Sequence, residues 1–273
     1  MVRSLWSAAS GMIAQQTNLD VIANNLANVN TTGYKSETAE FKSLLYQHMQ
    51  AETTTKNGEN KPISAQVGLG VRNSAVTSIF KQGSLLASSS DTAFAIEGKG
   101  FFAVRDIDGT TKYTRNGNFI FNTNGANRLT LSTSDGLPVY DTNGRAITID
   151  TTRYSASKIT VDADGRLCYP DASNNPQPIG IQIGLFQFNN PSGLEKVNDT
   201  LYGVTAASGQ AMNEARNANL DKSNIIQGYL EGSSVQVVDE MVNMIVAQRA
   251  YEMNSKAITT TDTMMEIANN LKR

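Results

Sequence analysis

Both ends of the chain carry apolar residues on a seven-residue beat, and this pattern constrains the fold more than any other feature. Leu5, Met12, Leu19 and Leu26 are seven apart, while Ala8, Ile22 and Val29 fall on a companion row three residues later on which only Gln15 is polar. That spacing is the a/d seam of a coiled coil. At roughly 1.5 Å per residue a helix from Ser4 to Asn28 is about 38 Å long, too long for one small domain to bury unaided. The other end supplies a partner. Met244, Ala247, Tyr251, Asn254, Ile258, Thr261, Met265 and Ala268 form a second a/d row, and neither glycine nor proline follows Gly232. Ser233 and Gln236 have the spacing of a capping box at its start. The two segments are predicted to pair within the chain as an antiparallel coiled coil. One side of its seam is Leu5, Met12, Leu19, Ile22, Leu26 and Val29, and the other is Met244, Tyr251, Ile258 and Met265. Gly11 weakens the first helix by about 1 kcal/mol relative to alanine, unless a neighbour must approach closely there.

Between these ends the period changes. All six prolines lie from Pro62 to Pro191. From Gly68 to about Tyr202 short apolar runs such as Phe101-Phe102-Ala103-Val104 and Phe119-Ile120-Phe121 alternate with turn dipeptides. The latter are Asp108-Gly109, Asn116-Gly117, Asn124-Gly125, Asp135-Gly136, Asn143-Gly144 and Asp164-Gly165, which accept the positive φ of tight hairpins. No long helices intervene, so a doubly wound or barrel α/β fold is excluded. The expected class is α+β: long terminal helices with an inserted antiparallel β-rich domain. Boundaries are placed at 1–33 for the first helix, 34–70 for a connecting segment, 71–222 for the β-rich domain, and 223–273 for a second connection and helix. Within the first connection, Ala39, Phe41, Leu44 and Leu45 are compatible with one or two helical turns. Residues 50–66 are too polar to bury anything and read as an exposed loop.

Composition narrows the chemistry. A net charge of -2 gives no basic field for nucleic acid or an anionic membrane. One cysteine, Cys168, and one histidine, His48, leave neither an internal disulfide nor a zinc set. No cofactor is expected. No apolar run approaches the roughly 18 residues of a spanning helix, and Ser7, Ser10, Gln15 and Gln16 interrupt any secretory core. The chain is therefore expected to be cytosolic, or exported without a cleaved signal peptide. Gly68-Leu69-Gly70 and Gly98-Lys99-Gly100 complete no phosphate-loop fingerprint and read as turns or bulges. Asp106, Asp108, Asp135 and Asp141 are ordinary turn carboxylates unless a second signal pairs them for glycan hydrolysis. No catalysis is expected.

The asparagines near the end of the first helix are more informative. With Leu5 at position a, Asn24 and Asn25 fall at f and g and Asn28 at c, off the seam. One reading is solvation near a helix end. The other is that these amides bond to neighbouring copies of the chain and build a lattice.

Several longer stretches carry a resemblance. Ser4-Leu5-Trp6 and the run from Gln15 through Asp20-Val21-Ile22-Ala23-Asn24-Asn25-Leu26-Ala27-Asn28 to Thr32-Gly33-Tyr34-Lys35 closely resemble the N-terminal signature of bacterial flagellar rod and hook proteins. Gln227-Gly228-Tyr229-Leu230-Glu231 and the stretch from Glu240 to Lys256 resemble the C-terminal one. Ile96-Glu97-Gly98-Lys99-Gly100-Phe101-Phe102 and Tyr113-Thr114-Arg115-Asn116-Gly117 resemble the start of the family's β domain. Leu44-Leu45-Tyr46-Gln47 and the polar segment after it bring the match closest to the distal-rod type. That segment, with Glu52, Thr53, Thr54, Lys56, Asn57, Gly58 and Pro62, sits where distal rod proteins carry an insertion thought to keep the rod straight.

The resemblance implies a structural subunit that polymerises helically into a hollow drive shaft enclosing the export channel, with the terminal helices as inner tube and the β domain as outer wall. It further implies export through the flagellar type III apparatus and location in the periplasmic rod of the basal body. Its partners would be other copies, the proximal rod and hook proteins at its ends, and the P- and L-ring bushing. Intersubunit contact is expected at Asn24, Asn25, Asn28, Gln248, Arg249 and Asn254. A proximal rod or hook subunit is the alternative within the family. A secreted β-rich carbohydrate-binding module or hydrolase is a distant alternative outside it.

Overall fold

The computed structural model describes residues 2–50, 65–125, 127–171, 175–198, 200–217 and 219–271. The chain forms two compact units, one from residues 1–27, 37–77 and 236–273 and the other from 28–36 and 78–235.

The first unit is built on helices α1 (Val2–Ala27) and α2 (Val237–Asn270). They lie side by side and run in opposite directions, since Gly11 faces Asn254 near one end while Asn25 meets Glu240 near the other. The glycine has the expected reason, because a Cβ at Gly11 would sit 2.9 Å from the Asn254 side-chain amide nitrogen. Strand Glu37–Ser43 pairs with Val71–Ser78, and Tyr46–Gln50 pairs antiparallel with Ala65–Gly68. The helical turns expected within residues 36–46 are therefore strand. The reason is local: Asn25 of α1 satisfies both the N–H and the C=O of Glu37 with its amide, holding that backbone extended. Glu52, Thr53, Thr54, Lys56, Asn57, Gly58 and Pro62 of the expected insertion lie outside the described residues. So do most of the residues of the polar loop read around them.

The start of α2 differs from expectation. Its N-cap is Gln236, extended and without a side-chain cap bond. The Ser233 hydroxyl, in the second unit, instead accepts the Val235 N–H at 3.3 Å. Asp239 and Glu240 in the first turn of α2 supply the negative charge that a helix N-terminus favours.

In the second unit, six antiparallel strands follow the order Glu195–Asn198, Leu201–Gly203, Thr111–Thr114, Phe101–Arg105, Leu185–Gln187 and Met212–Asn213. The apolar run at Phe101–Arg105 belongs to a strand buried on both faces. Phe102 and Val104 join a core with Phe94, Ile96, Phe119, Leu131 and Val139, while Phe101 and Ala103 join Tyr113, Phe188 and Tyr202. The second group is knit by edge-to-face ring contacts, such as Tyr113 on Phe188 at 4.9 Å. Two three-stranded sheets add Phe119–Thr123, Arg128–Thr133 and Thr148–Asp150, and Thr160–Val161, Arg166–Pro170 and Pro176–Gln182. Gly109, Gly125, Gly136, Gly144 and Gly165 all have positive φ, as their hairpin turns require. Gly117 is the exception. It serves close approach instead, because a Cβ there would collide with the carbonyl of Phe94, which donates its N–H to the Gly117 carbonyl.

Candidate assembly surface and charged anchor

The helix pair of the first unit has an inner and an outer side. Of the row expected on α2, Met244, Asn254, Ile258, Thr261 and Met265 are half-buried and Ala247 is buried, while Tyr251 is 39% exposed. On α1 the seam is rotated. Ala8, Ala14, Val21, Ile22 and Asn25 are buried, whereas Leu5, Met12, Leu19 and Leu26 are half-buried. Strand Glu37–Ser43 packs on α1 beside α2, so two neighbours cover the helix and the buried stripe is broader than an a/d line. Val29 lies past the end of α1 and contributes to the second unit.

Asn25 is the largest correction. Expected on an outward face, it is 1% exposed. Its Nδ2 donates to the Glu37 carbonyl at 2.8 Å and to Glu240 Oε1 at 3.0 Å, and its Oδ1 accepts the Glu37 N–H at 2.9 Å. This amide joins α1, the following strand and α2 within one chain. Burial raises the Glu240 carboxyl above the ordinary carboxylate range, and the Asn25 bond opposes that shift. Asn254 is likewise turned inward, opposite Gly11. Asn24 is exposed, with its Nδ2 3.4 Å from Glu37 Oε2, and Asn28 accepts the Thr31 hydroxyl at 3.1 Å. Gln248 and Arg249 are exposed on α2, where Arg249 pairs with Glu252 one turn on.

The outer side of the pair is apolar. Val238, Met241, Val242, Ile245 and Val246 of α2 are all more than half exposed, as is Ile13 of α1. Lone exposed apolar residues are normal, but a contiguous set on one helix marks an interaction surface.

The second unit holds a buried charge cluster that no single stretch of sequence reveals. Lys35 Nζ lies 2.7 Å from Glu231 Oε1, with both side chains 0% exposed, and also donates to the Lys81 carbonyl at 2.7 Å. Arg115 Nε stands 3.4 Å from Glu231 Oε2. The two Arg115 terminal nitrogens donate to the carbonyls of Gly100 and Gly98 at 2.7 Å each. The Gly98-Lys99-Gly100 loop is thus a carbonyl cradle for an arginine. The Gly83 N–H also donates to Glu231 Oε1 at 3.0 Å, and the Gly33 N–H donates to the Glu231 backbone carbonyl at 2.8 Å. Gly33 needs its φ of 71°, and a Cβ there would come 2.6 Å from the Asn116 nitrogen. Burial pulls Lys35 below the ordinary lysine range and lowers Arg115; in each case Glu231 is the chief opposing charge. Buried Glu214, bonded to Gln187 and Ser223, also favours charged Arg115.

The other weighed residues have structural places. Asp106 and Asp141 accept backbone N–H groups inside their own turns. His48 is exposed on strand Tyr46–Gln50. Cys168 is buried on strand Arg166–Pro170, and burial pushes its thiol up.

Three family models match in chain order: "Flagella basal body rod protein" over residues 5–35, "Flagellar hook protein FlgE/F/G D1 domain" over 95–169, and "Flagellar basal body rod FlgEFG protein C-terminal" over 226–271. The charge cluster takes one member from each: Lys35, Arg115 and Glu231. A curated relative, "Flagellar basal-body rod protein FlgG" of Borreliella burgdorferi, is 44% identical over 275 residues, covering 100% of both chains. The chain belongs to the FlgG family of flagellar basal-body rod proteins. Two Bacillus subtilis proteins sharpen this placement within the wider group. Its FlgG is 38% identical over 276 residues and its "Flagellar hook-basal body complex protein FlhP" 30% over 279, each covering 100% of both chains. The FlgG-family signatures were visible in the sequence. The pairing of their charges was not, because Lys35, Arg115 and Glu231 are far apart along the chain and each is an ordinary surface residue type. A hint was available in the basic residue immediately following Thr-Gly-Tyr and Tyr-Thr, with a lone acid closing Gln-Gly-Tyr-Leu-Glu.

Proposed function

We propose that this chain is the structural subunit of the flagellar distal rod, polymerising helically into the hollow shaft that transmits torque to the hook and encloses the export channel. The observation that carries this reading is the exposed apolar row on α2, Val238, Met241, Val242, Ile245 and Val246, which water alone would leave at a cost and a neighbouring copy would cover. In the polymer α1 and α2 tighten into an antiparallel coiled coil. Asn24, Asn28, Gln248 and Arg249 then meet other copies, while Asn25 and Asn254 serve the hairpin itself. The ends of the polymer meet the proximal rod and hook proteins, and its flank meets the P- and L-ring bushing. The subunit reaches the periplasm through the flagellar type III export apparatus.

Ile245→Asp tests the reading. Monomer stability should change by no more than about 0.5 kcal/mol, as for other exposed sites, while rods and motility are lost. Normal rods with that substitution would overturn it. Deleting residues 51–62 then separates the distal assignment from a proximal one, because a distal rod should lose its straightness in electron micrographs.

A further inference from the structure

Strand Phe101–Arg105 carries complementary features at its two ends. Past its C-terminal end, Asp106-Ile107-Asp108-Gly109 forms a tight turn closed by the Gly109 N–H on the Asp106 carbonyl at 3.0 Å. Ile107 stands at the tip, 91% exposed. An isoleucine there gains nothing from folding, and it is flanked by two carboxylates.

At the N-terminal end of the same strand lies a cleft of about 640 Å³ whose walls include Phe80, Phe101, Phe188 and Leu220, with Arg115 within and Lys99 beside it. That volume accepts the end of a hairpin turn and not merely one side chain. The charges match: Asp106 and Asp108 flank the projecting isoleucine, while the cleft rim presents exposed Lys99, 3.9 Å from Asp221 of its own chain. Arg105 at the base of the turn and Asp221 at the cleft form a second complementary pair.

Because the projection and the cleft are different surfaces at opposite ends of one strand, a contact between them joins unlike patches. Such a head-to-tail contact propagates as an open helix when its rotation does not close a ring. We propose that the Ile107 turn of one copy inserts into this aromatic cleft of the next, adding an apolar lock between the second units of successive subunits. The proposal rests on the rod-subunit reading above.

The test uses the full chain in a Cys168→Ala background carrying Ile107→Cys and Asn219→Cys, both at exposed positions, the second beside the cleft. Rods isolated from cells and oxidised should yield a ladder of disulfide-linked subunits, which neither single cysteine produces. Rods without a ladder overturn the proposal and leave the rod reading intact, whereas absence of rods from the unaltered chain overturns both. A second arm covers failure of the double-cysteine chain to assemble. Ile107→Asp should raise the critical concentration for self-assembly about ten- to hundredfold, the loss expected for burying an isoleucine. Asp108→Lys and Lys99→Glu should each raise it several-fold, and their combination should recover most of the loss. An unchanged critical concentration for Ile107→Asp, or no recovery in the charge exchange, refutes the lock.

Discussion

Glu231→Gln removes one negative charge from the buried cluster and changes almost nothing in volume. It leaves Lys35, 0% exposed, and Arg115, 3% exposed, without the carboxylate between them. Breaking a buried pair by removing one partner destabilises by about 3–5 kcal/mol. An independent bound comes from the escape open to Lys35, which can shed its proton. From an ordinary pKa of 10.5, deprotonation at pH 7 costs about 1.36 kcal/mol per unit, or roughly 4.8 kcal/mol. The two figures agree, and against a domain stability of about 5–15 kcal/mol they are a large fraction. The transition of a unit this size should fall by roughly 6–20 °C.

The pH dependence has a definite sign. Burial already lowers Lys35 in the native state, and loss of Glu231 lowers it further. A lysine lowered in this way binds fewer protons folded than unfolded between its native pKa and 10.5, so stability rises with pH across that window. The deficit of Glu231→Gln should therefore shrink toward pH 10, and that trend should vanish in Lys35→Met/Glu231→Gln. Urea unfolding followed by the β-sheet circular dichroism signal at several pH values measures both. A loss below about 1 kcal/mol at pH 7, or a deficit independent of pH, would refute the reasoning.

Asn25→Ala removes three hydrogen bonds and leaves the half-buried Glu37 backbone without its amide partner, so a loss of about 2–4 kcal/mol is expected in the first unit. Hydrogen exchange should report it as faster exchange in strand Glu37–Ser43 and at the start of α2. Gly33→Ala combines a φ of 71° with a backbone collision at Asn116 and should cost at least about 2 kcal/mol, read as a lower urea midpoint at unchanged slope. Cys168 should react slowly with iodoacetamide in the folded chain and at an ordinary rate in denaturant, because burial disfavours its thiolate; equal rates would mean that the strand opens readily.

Much of the architecture was legible in one dimension, since helix and hairpin periods are local. Five Asx-Gly dipeptides placed turns at which glycine takes a positive φ. The seam of α1 was only partly legible, because a heptad pattern assumes a single partner and the helix has two. The role of Asn25 was misread for the same reason: position g looks outward only until a strand packs beside it.

By itself the sequence determined the two helices, the antiparallel β-rich middle and the family, all properties of short contiguous stretches. Tertiary structure alone decided that Lys35, Arg115 and Glu231 form one cluster, that the Gly98 and Gly100 carbonyls hold an arginine, and that Ile107 and an aromatic cleft stand at opposite ends of one strand. The physical reason is that burial and charge pairing depend on distance in space, and a chain's local pattern carries no term for the residue that arrives from a separate stretch of the chain.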